Sequence, residues 1–350
     1  MAGNAQPTLP DDVVAGLSAL GDAIAQGCVS AGLIDTALSA LSRLPPQAVS
    51  WTDRPIAQLI GSDWRSELHR FSILGVHRPS PAQLDLLDRF PNLAWVYLSH
   101  HNGFVRQRAI ECLPAPPASP FLLSALVLRM NDWVRQVQVA ARYRVERLLP
   151  QTALGVIVGA APFLIDRWRS WGRWDAESMA VVDAVLQRPD VAAAMVQRFL
   201  SKAPGPLATE LRYALKGPSY DPYLLTLAQT AVQPAVRVTA FNALIRLRAT
   251  WPVGFRSEWV DKRYGLSRRV VVMQGRAIAH DYPSPGLLLA ALSDRSAAVR
   301  RAAADALIEQ RASFPDIDRA VGALSRDRSP AIRERADFLT RKLAEERARV

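Results

Sequence analysis

The densest gathering of interactive side chains runs from Phe163 to Met179, FLIDRWRSWGRWDAESM, where Trp168, Trp171 and Trp174 interleave with Arg167, Arg169 and Arg173. Tryptophans three apart fall along one stripe of a helix, and indoles flanked by guanidinium groups can stack bases and meet phosphates. A plainer reading has Trp168 and Trp171 filling core, Gly172 ending the helix, and arginine stems covering the rings. Further cations collect at Arg142, Arg144 and Arg147, at Arg246 and Arg248, and at Arg268, Arg269 and Arg276. Such a stripe suits an acidic partner or a phosphate backbone, though a solvated helix face explains it as well.

Catalytic chemistry has little to build on. The chain holds no Gly-x-Ser-x-Gly, no phosphate-binding glycine loop and no His-Glu-x-x-His. Its histidines are His69, His77, His100, His101 and His280, and the adjacent pair His100-His101 has no Cys, Asp or Glu beside it at ligand spacing. Cys28 and Cys112 are too few for a disulfide framework or a cysteine zinc site, and Cys112 reads as a buried structural thiol. No catalytic residue, metal or cofactor is expected.

The elements that must carry these groups show themselves as a repeat. The segments GFVRQRAIECL, DWVRQVQVAA, PAVRVTAFNAL, AAVRRAAADAL and PAIRERADFL each place a branched aliphatic before an arginine, at Arg106, Arg135, Arg237, Arg300 and Arg333. Three residues later comes alanine (Ala109, Ala240, Ala303, Ala336), or Gln138 in the second copy. Fifteen residues before four of the arginines stands a Pro-x-Leu, at Pro91, Pro120, Pro222 and Pro285. Proline is tolerated in a first helical turn, so Pro-x-Leu opens one helix, a polar break follows, and Val-Arg opens a second. Ser329-Pro330 reads as an N-cap and N1 pair.

Successive arginines lie 29, 102, 63 and 33 residues apart, and Arg269 in GLSRRVVVM would split the 63 into 32 and 31, for a period near 32. SDWRSELHRFSIL, with Arg65, reads as a further upstream copy. The expected fold is all-α: a right-handed α-solenoid of stacked antiparallel helix pairs. Its parts are N-terminal capping helices over 1–60, repeats over 61–150, degenerate helical repeats over 151–220, and repeats with a C-terminal cap over 221–350. Two amphipathic helices, Asp11 to Ala25 and Ser30 to Leu44, form the first cap.

The apolar run Ala153 to Ile165 is 13 residues long and contains Pro162, where a membrane span needs roughly 20. It reads as a buried helix whose Gly155 and Gly159 admit a close neighbour. The opening MAGNAQPTLPDD lacks a basic n-region, so a cytoplasmic, membrane-free protein is expected. Net charge is +11, with residues 1–100 summing to −3 and residues 101–350 to +14.

The Val-Arg-x-x-Ala signature resembles HEAT repeats over about 85 to 150 and 220 to 340. That resemblance implies an Arg/Asp ladder between adjacent repeats, with Arg106, Arg135, Arg237, Arg300 and Arg333 as structural residues. Asp132 and Asp294 match the acidic position while Asn102 and Gln233 do not, so the ladder is expected to be incomplete. Second helices line the inner surface in such arrays. Arg142, Arg144, Arg147, Arg246, Arg248 and Arg269, with the Trp/Arg segment, are then candidates for a basic concave surface. Arg144 and Arg246 occupy equivalent places, nine residues after their repeat arginines.

The first functional reading is a non-enzymatic scaffold for a protein partner with an acidic surface; the alternative is nucleic-acid binding. A weaker similarity to HEAT-like DNA alkylation-repair glycosylases offers Asp132, Trp133, Asp166 and Trp168, which match no catalytic motif one by one.

Overall fold

The computed structural model describes residues 8–61, 81–167, 170–201, 204–279 and 284–348. Arg65, His69, His77, Trp168, Arg169 and His280 lie outside them. Helices dominate, and they pack on one another in sequence order. The chain divides into two compact units, Met1–Leu186 and Gln187–Val350.

The first unit begins with α1 (Asp11–Gln26) and α2 (Ala31–Ser42), which pack together. Their buried leucines and alanines, Leu17, Leu20, Ala37 and Leu41, face each other, and Ser30 caps α2 through the Leu33 amide. Then come α3 (Val49–Leu59), α4 (Pro81–Arg89) and the short α5 (Ala94–Tyr97), whose entry turn starts at Pro91. Next are α6 (Gly103–Cys112), α7 (Pro120–Leu128), α8 (Arg135–Leu148), α9 (Leu154–Arg167) and α10 (Ala176–Leu186). Pro120 takes the first position of α7 behind Ser119, which caps the Leu122 amide.

Helix α9 is the apolar run, packed on α7. A Cβ on Gly159 would come within 2.7 Å of Pro120, so this glycine permits the approach. Gly155 faces open space and has no such role. No helix among the described residues is long and apolar enough to cross a membrane.

In the second unit α11 (Pro189–Leu200), α12 (Leu207–Ala214), α13 (Leu224–Thr230) and α14 (Pro234–Ile245) lead to an antiparallel hairpin. Its strands are β1 (Arg248–Asp261) and β2 (Leu266–Ala277). Four helices follow: α15 (Ser284–Leu292), α16 (Ala297–Gln310), α17 (Ile317–Ser325) and α18 (Pro330–Arg347). The second helices α14, α16 and α18 pack in succession, as α6 and α8 do in the first unit.

The hairpin corrects the expectation that GLSRRVVVM is a repeat helix: Arg269 sits on β2, and Arg248 starts β1. The three valines 270–272 are β-branched and favour a pleated surface, and Gly265 supplies the positive φ of 64° that the turn requires. Removing the 30 residues 248–277 from the 63-residue interval between Arg237 and Arg300 leaves 33. The hairpin is therefore an insertion into one repeat.

A second correction concerns register. Each repeat arginine reaches back to the carbonyl six residues earlier in its own turn: Arg106 to His100, Arg237 to Ala231, Arg300 to Asp294 and Arg333 to Asp327. In the repeat of α8 that bond comes from Gln138 Nε2 to the Asp132 carbonyl, at 2.5 Å. Val137 and Ala141, both fully buried, then stand where Val105 and Ala109 stand, while Arg135 is exposed. So Gln138, not Arg135, occupies the repeat position. Spacings become 32 from Arg106 to Gln138 and 99 from Gln138 to Arg237, three units of 33.

With the register set, the ladder has three rungs among the described residues. Arg106 clasps Asp132 of the next repeat with both carboxylate oxygens at 2.7 and 2.9 Å. Arg237 holds Asp294 at 2.8 Å twice, and Arg300 holds Asp327 at 2.6 and 3.0 Å. Each aspartate also caps its turn by accepting the amide two residues on, from Val134, Ser296 or Ser329. The Arg300 hydrogen bonds hold the Asp327 carboxyl below the usual carboxylate range. Rungs fail where the chemistry is missing: Gln138 carries no charge and Ala231 offers no acid.

Candidate partner-binding surface

The repeat arginines are spent on the fold. Arg106 and Arg237 are 4% and 1% exposed, with every hydrogen bond directed to a turn carbonyl or a ladder aspartate. Arg129, which sequence reasoning passed over, is buried too and is paired with Asp53 and Asp132. No periodic signal marks it.

The second-helix cations are largely neutralised. Arg142 pairs with Glu177 and lies 3.8 Å from Asp175, and Arg246 forms a two-pronged pair with Glu309 at 2.8 and 3.1 Å. Arg144 donates to the Leu113 carbonyl at the end of α6, and partial burial lowers its pKa. The equivalence of Arg144 and Arg246 therefore falls with the register: Arg144 lies six residues after the repeat position and Arg246 nine. Arg268 pairs with Glu258 across the hairpin, and Arg276 with Asp221.

Trp171 and Trp174 lie between α9 and α10, outside any helix. Trp171 packs edge-on against Phe163 with centroids 6.1 Å apart, and Trp174 tilts against Trp171 at 5.2 Å. Both are half-buried, and the exposed Arg167 lies 3.7 Å from its neighbour Asp166. Arg173 is exposed and uses its backbone amide to reach Asn131. Neither Trp171 nor Trp174 stands on a helix, so the three-residue spacing does not act between them as it would along a helical stripe.

One open groove remains on α6 and α8, with a volume of about 840 Å3. Its floor follows the exposed face of α8, where Arg135, Val139, Tyr143 and Arg147 recur at four-residue spacing. Val139 is 44% and Tyr143 60% exposed. The Arg147 guanidinium lies 5.8 Å from the Tyr143 ring centre, a cation over an aromatic face. Arg135 reaches Asp175, whose carboxyl is held down at about 2, chiefly by hydrogen bonds from Ser178. Glu111, Glu146 and Glu177 on the rim keep the groove close to charge balance.

A second cavity, of about 540 Å3, opens at the turns before α6 and α8, beside Trp133. Trp133 is 71% exposed and overlies Arg106 at 5.8 Å, whereas Asp132 beneath is closed off by its ladder pair. This tryptophan is displayed rather than packed between repeats. His100 is buried and stays neutral to about pH 3, because desolvation and then its neighbours His101 and Arg106 disfavour the cation. Its Nδ1 accepts the Asn102 amide, so the ring proton sits on Nε2, 3.3 Å from the side-chain amide nitrogen of Gln83.

Among the described residues no three His, Cys, Asp or Glu side chains gather. Cys28 is exposed, and Cys112 is half-buried with its thiol pKa pushed up by burial. No protein-family model, curated protein or solved structure matches this chain.

Proposed function

We propose that this protein is a non-enzymatic interaction scaffold built from right-handed, HEAT-type helix pairs, and that the α6/α8 groove receives a segment of a protein partner. The carrying observation is the display of Val139 and Tyr143 on a second helix whose other branched aliphatics, Val137, Val145 and Leu148, are buried. The exposed valine and tyrosine stand one turn apart along a groove, beside an arginine, and so form a contiguous apolar patch with a polar rim. Tyrosine with a flanking arginine is the residue pair that interface centres favour. The matching partner segment carries an aliphatic or aromatic anchor, with a carboxylate set to meet Arg147.

Nucleic-acid binding is the weaker reading, because its proposed stripe is already paired internally at Arg142 and Arg246. The enzymatic reading loses Asp132 to the ladder.

A photo-crosslinking residue in place of Val139, expressed in the cells that make the protein, tests the groove. The expected product is one discrete adduct attached through an acidic segment, and it should vanish when Tyr143→Ala and Arg147→Glu are added. An adduct of undiminished yield in that background, with the melting curve unchanged, rejects the groove as the binding surface.

A further inference from the structure

The hairpin carries much of the exposed apolar surface of the described chain. Val253, Phe255, Trp259, Val260, Tyr264, Leu266, Val271 and Met273 are all 45% exposed or more, and all lie within one stretch of 21 residues. Its base is anchored: Ala249 is buried, Tyr213 donates to the Pro252 carbonyl, and Arg276 binds Asp221 together with the Leu215 and Gly217 carbonyls. Beyond that base two strands stand alone, and an isolated two-stranded ribbon is marginal in water.

The two edges differ. Strand β1 is blunted by Pro252 and by bulges at Val253 and Val260, and Tyr213 covers its carbonyl at Pro252. Strand β2 has no proline and no extra residue, and none of its backbone groups from Leu266 to Gly275 bonds to backbone outside the hairpin. It is a regular, valine-rich edge without the devices that keep edges from pairing.

We infer that β2 pairs antiparallel with β2 of a second copy of this chain, about a two-fold axis through Val271. The sequence is self-complementary in that register. Val270 lies opposite Val272 of the second copy, Arg269 opposite Met273, Arg268 opposite Gln274, and Leu266 opposite Arg276, so no two like charges meet. Residues of matching parity share a face, so Phe255, Val271, Met273 and Trp259 of each copy join one face of a four-stranded sheet, together with Arg269, whose guanidinium lies over the Phe255 ring. The pairing is independent of the α6/α8 groove, which belongs to the other unit.

The net charge of the segment 248–277 is +5. Bringing two copies together costs repulsion that salt screens, so added salt should leave self-association intact or strengthen it. A nucleic acid or an acidic protein on this hairpin would behave in the opposite sense.

Sedimentation equilibrium of the full chain over a wide concentration range reads the outcome. The expected mass climbs toward twice that of the chain, persists at raised salt, and returns to the monomer value in Val271→Lys, which sets two ammonium groups face to face. A Val271→Cys chain that also carries Cys28→Ser and Cys112→Ser should oxidise to a disulfide dimer, whereas Val253→Cys in that background should not. A monomer at every concentration, or association unchanged by Val271→Lys in a chain of normal circular dichroism, overturns the pairing.

Discussion

Arg106 and Arg333 hold equivalent places in their repeats, yet they face different energetics. Arg106 is buried against Asp132, whose carboxylate is 1% exposed, whereas Arg333 is exposed and donates only to the Asp327 and Arg328 carbonyls. Removing one member of a buried ion pair strands the other, so Arg106→Ala should cost about 3–5 kcal/mol, against roughly 1 kcal/mol or less for Arg333→Ala. Urea midpoints of the two variants measure the difference, and equal costs would mean the ladder is not what holds these repeats. His100 gives a second residue-scale outcome. Its folded pKa of about 3 lies below the unfolded value near 6.5, so the unfolded chain binds the extra proton between those values. Stability is therefore full above pH 6.5 and falls as pH drops below it, by about 1.4 kcal/mol per unit from this group. Asp175 and Asp327, whose carboxyls are held low, add their own loss only below about pH 4. In His100→Asn, which keeps an acceptor for the Asn102 amide, denaturation midpoints between pH 6.5 and 4.5 should flatten. Arg106, Arg237, Arg300 and Arg333 were legible from spacing, and so were the acids Asp132 and Asp294, whereas the Arg300 acceptor Asp327 was not. Each acid lies six residues before the next repeat position, a regularity that shows only once the register is known.

At the scale of the elements, the helix pairs followed from proline, alanine and polar breaks, because each is a local signal with a fixed place in a helix. The two errors arose where one local signal imitated another. Val134-Arg135 and Val137-Gln138 both fit a branched residue before a long polar one, and the arginine decided wrongly; the missing alanine at Gln138 was the trace of the true frame. Val137 is buried completely while Val134 is half-buried at the N-terminus of α8. Val137→Ala should therefore cost about 2 kcal/mol in chemical denaturation, and Val134→Ala under about 1. Comparable losses at the two sites would return Arg135 to the repeat frame. The hairpin was misread because an apolar run with two arginines near the expected spacing has the look of a degenerate repeat. Continuous β-branched residues and the Tyr264-Gly265 turn were the contrary evidence.

For the whole chain, a formal charge of +11 invites a polyanion, but formal charge counts each arginine as though it were free. Within both units the second-helix cations face carboxylates of neighbouring helices: Arg142 meets Glu177, Arg246 meets Glu309 and Arg335 meets Asp305. A phosphate arriving at such a site must displace a carboxylate, and the displaced carboxylate offsets the gain from counterion release. Second-helix cations without an acidic partner, such as Arg144, Arg147 and Arg333, are scattered among paired ones, whereas Arg248, Lys262, Arg263 and Arg269 gather on the hairpin. A labelled DNA duplex titrated by fluorescence anisotropy should accordingly bind at low salt and be released by about 0.15 M ionic strength, where charges farther apart than about 8 Å are screened. Val271→Lys adds a cation there and should tighten the low-salt binding, although it abolishes self-pairing. Tight binding that survives physiological salt, with a steep dependence of log affinity on log salt, would instead mean that the ion pairs open for the duplex. Nucleic acid would then replace a protein segment as the ligand of the array.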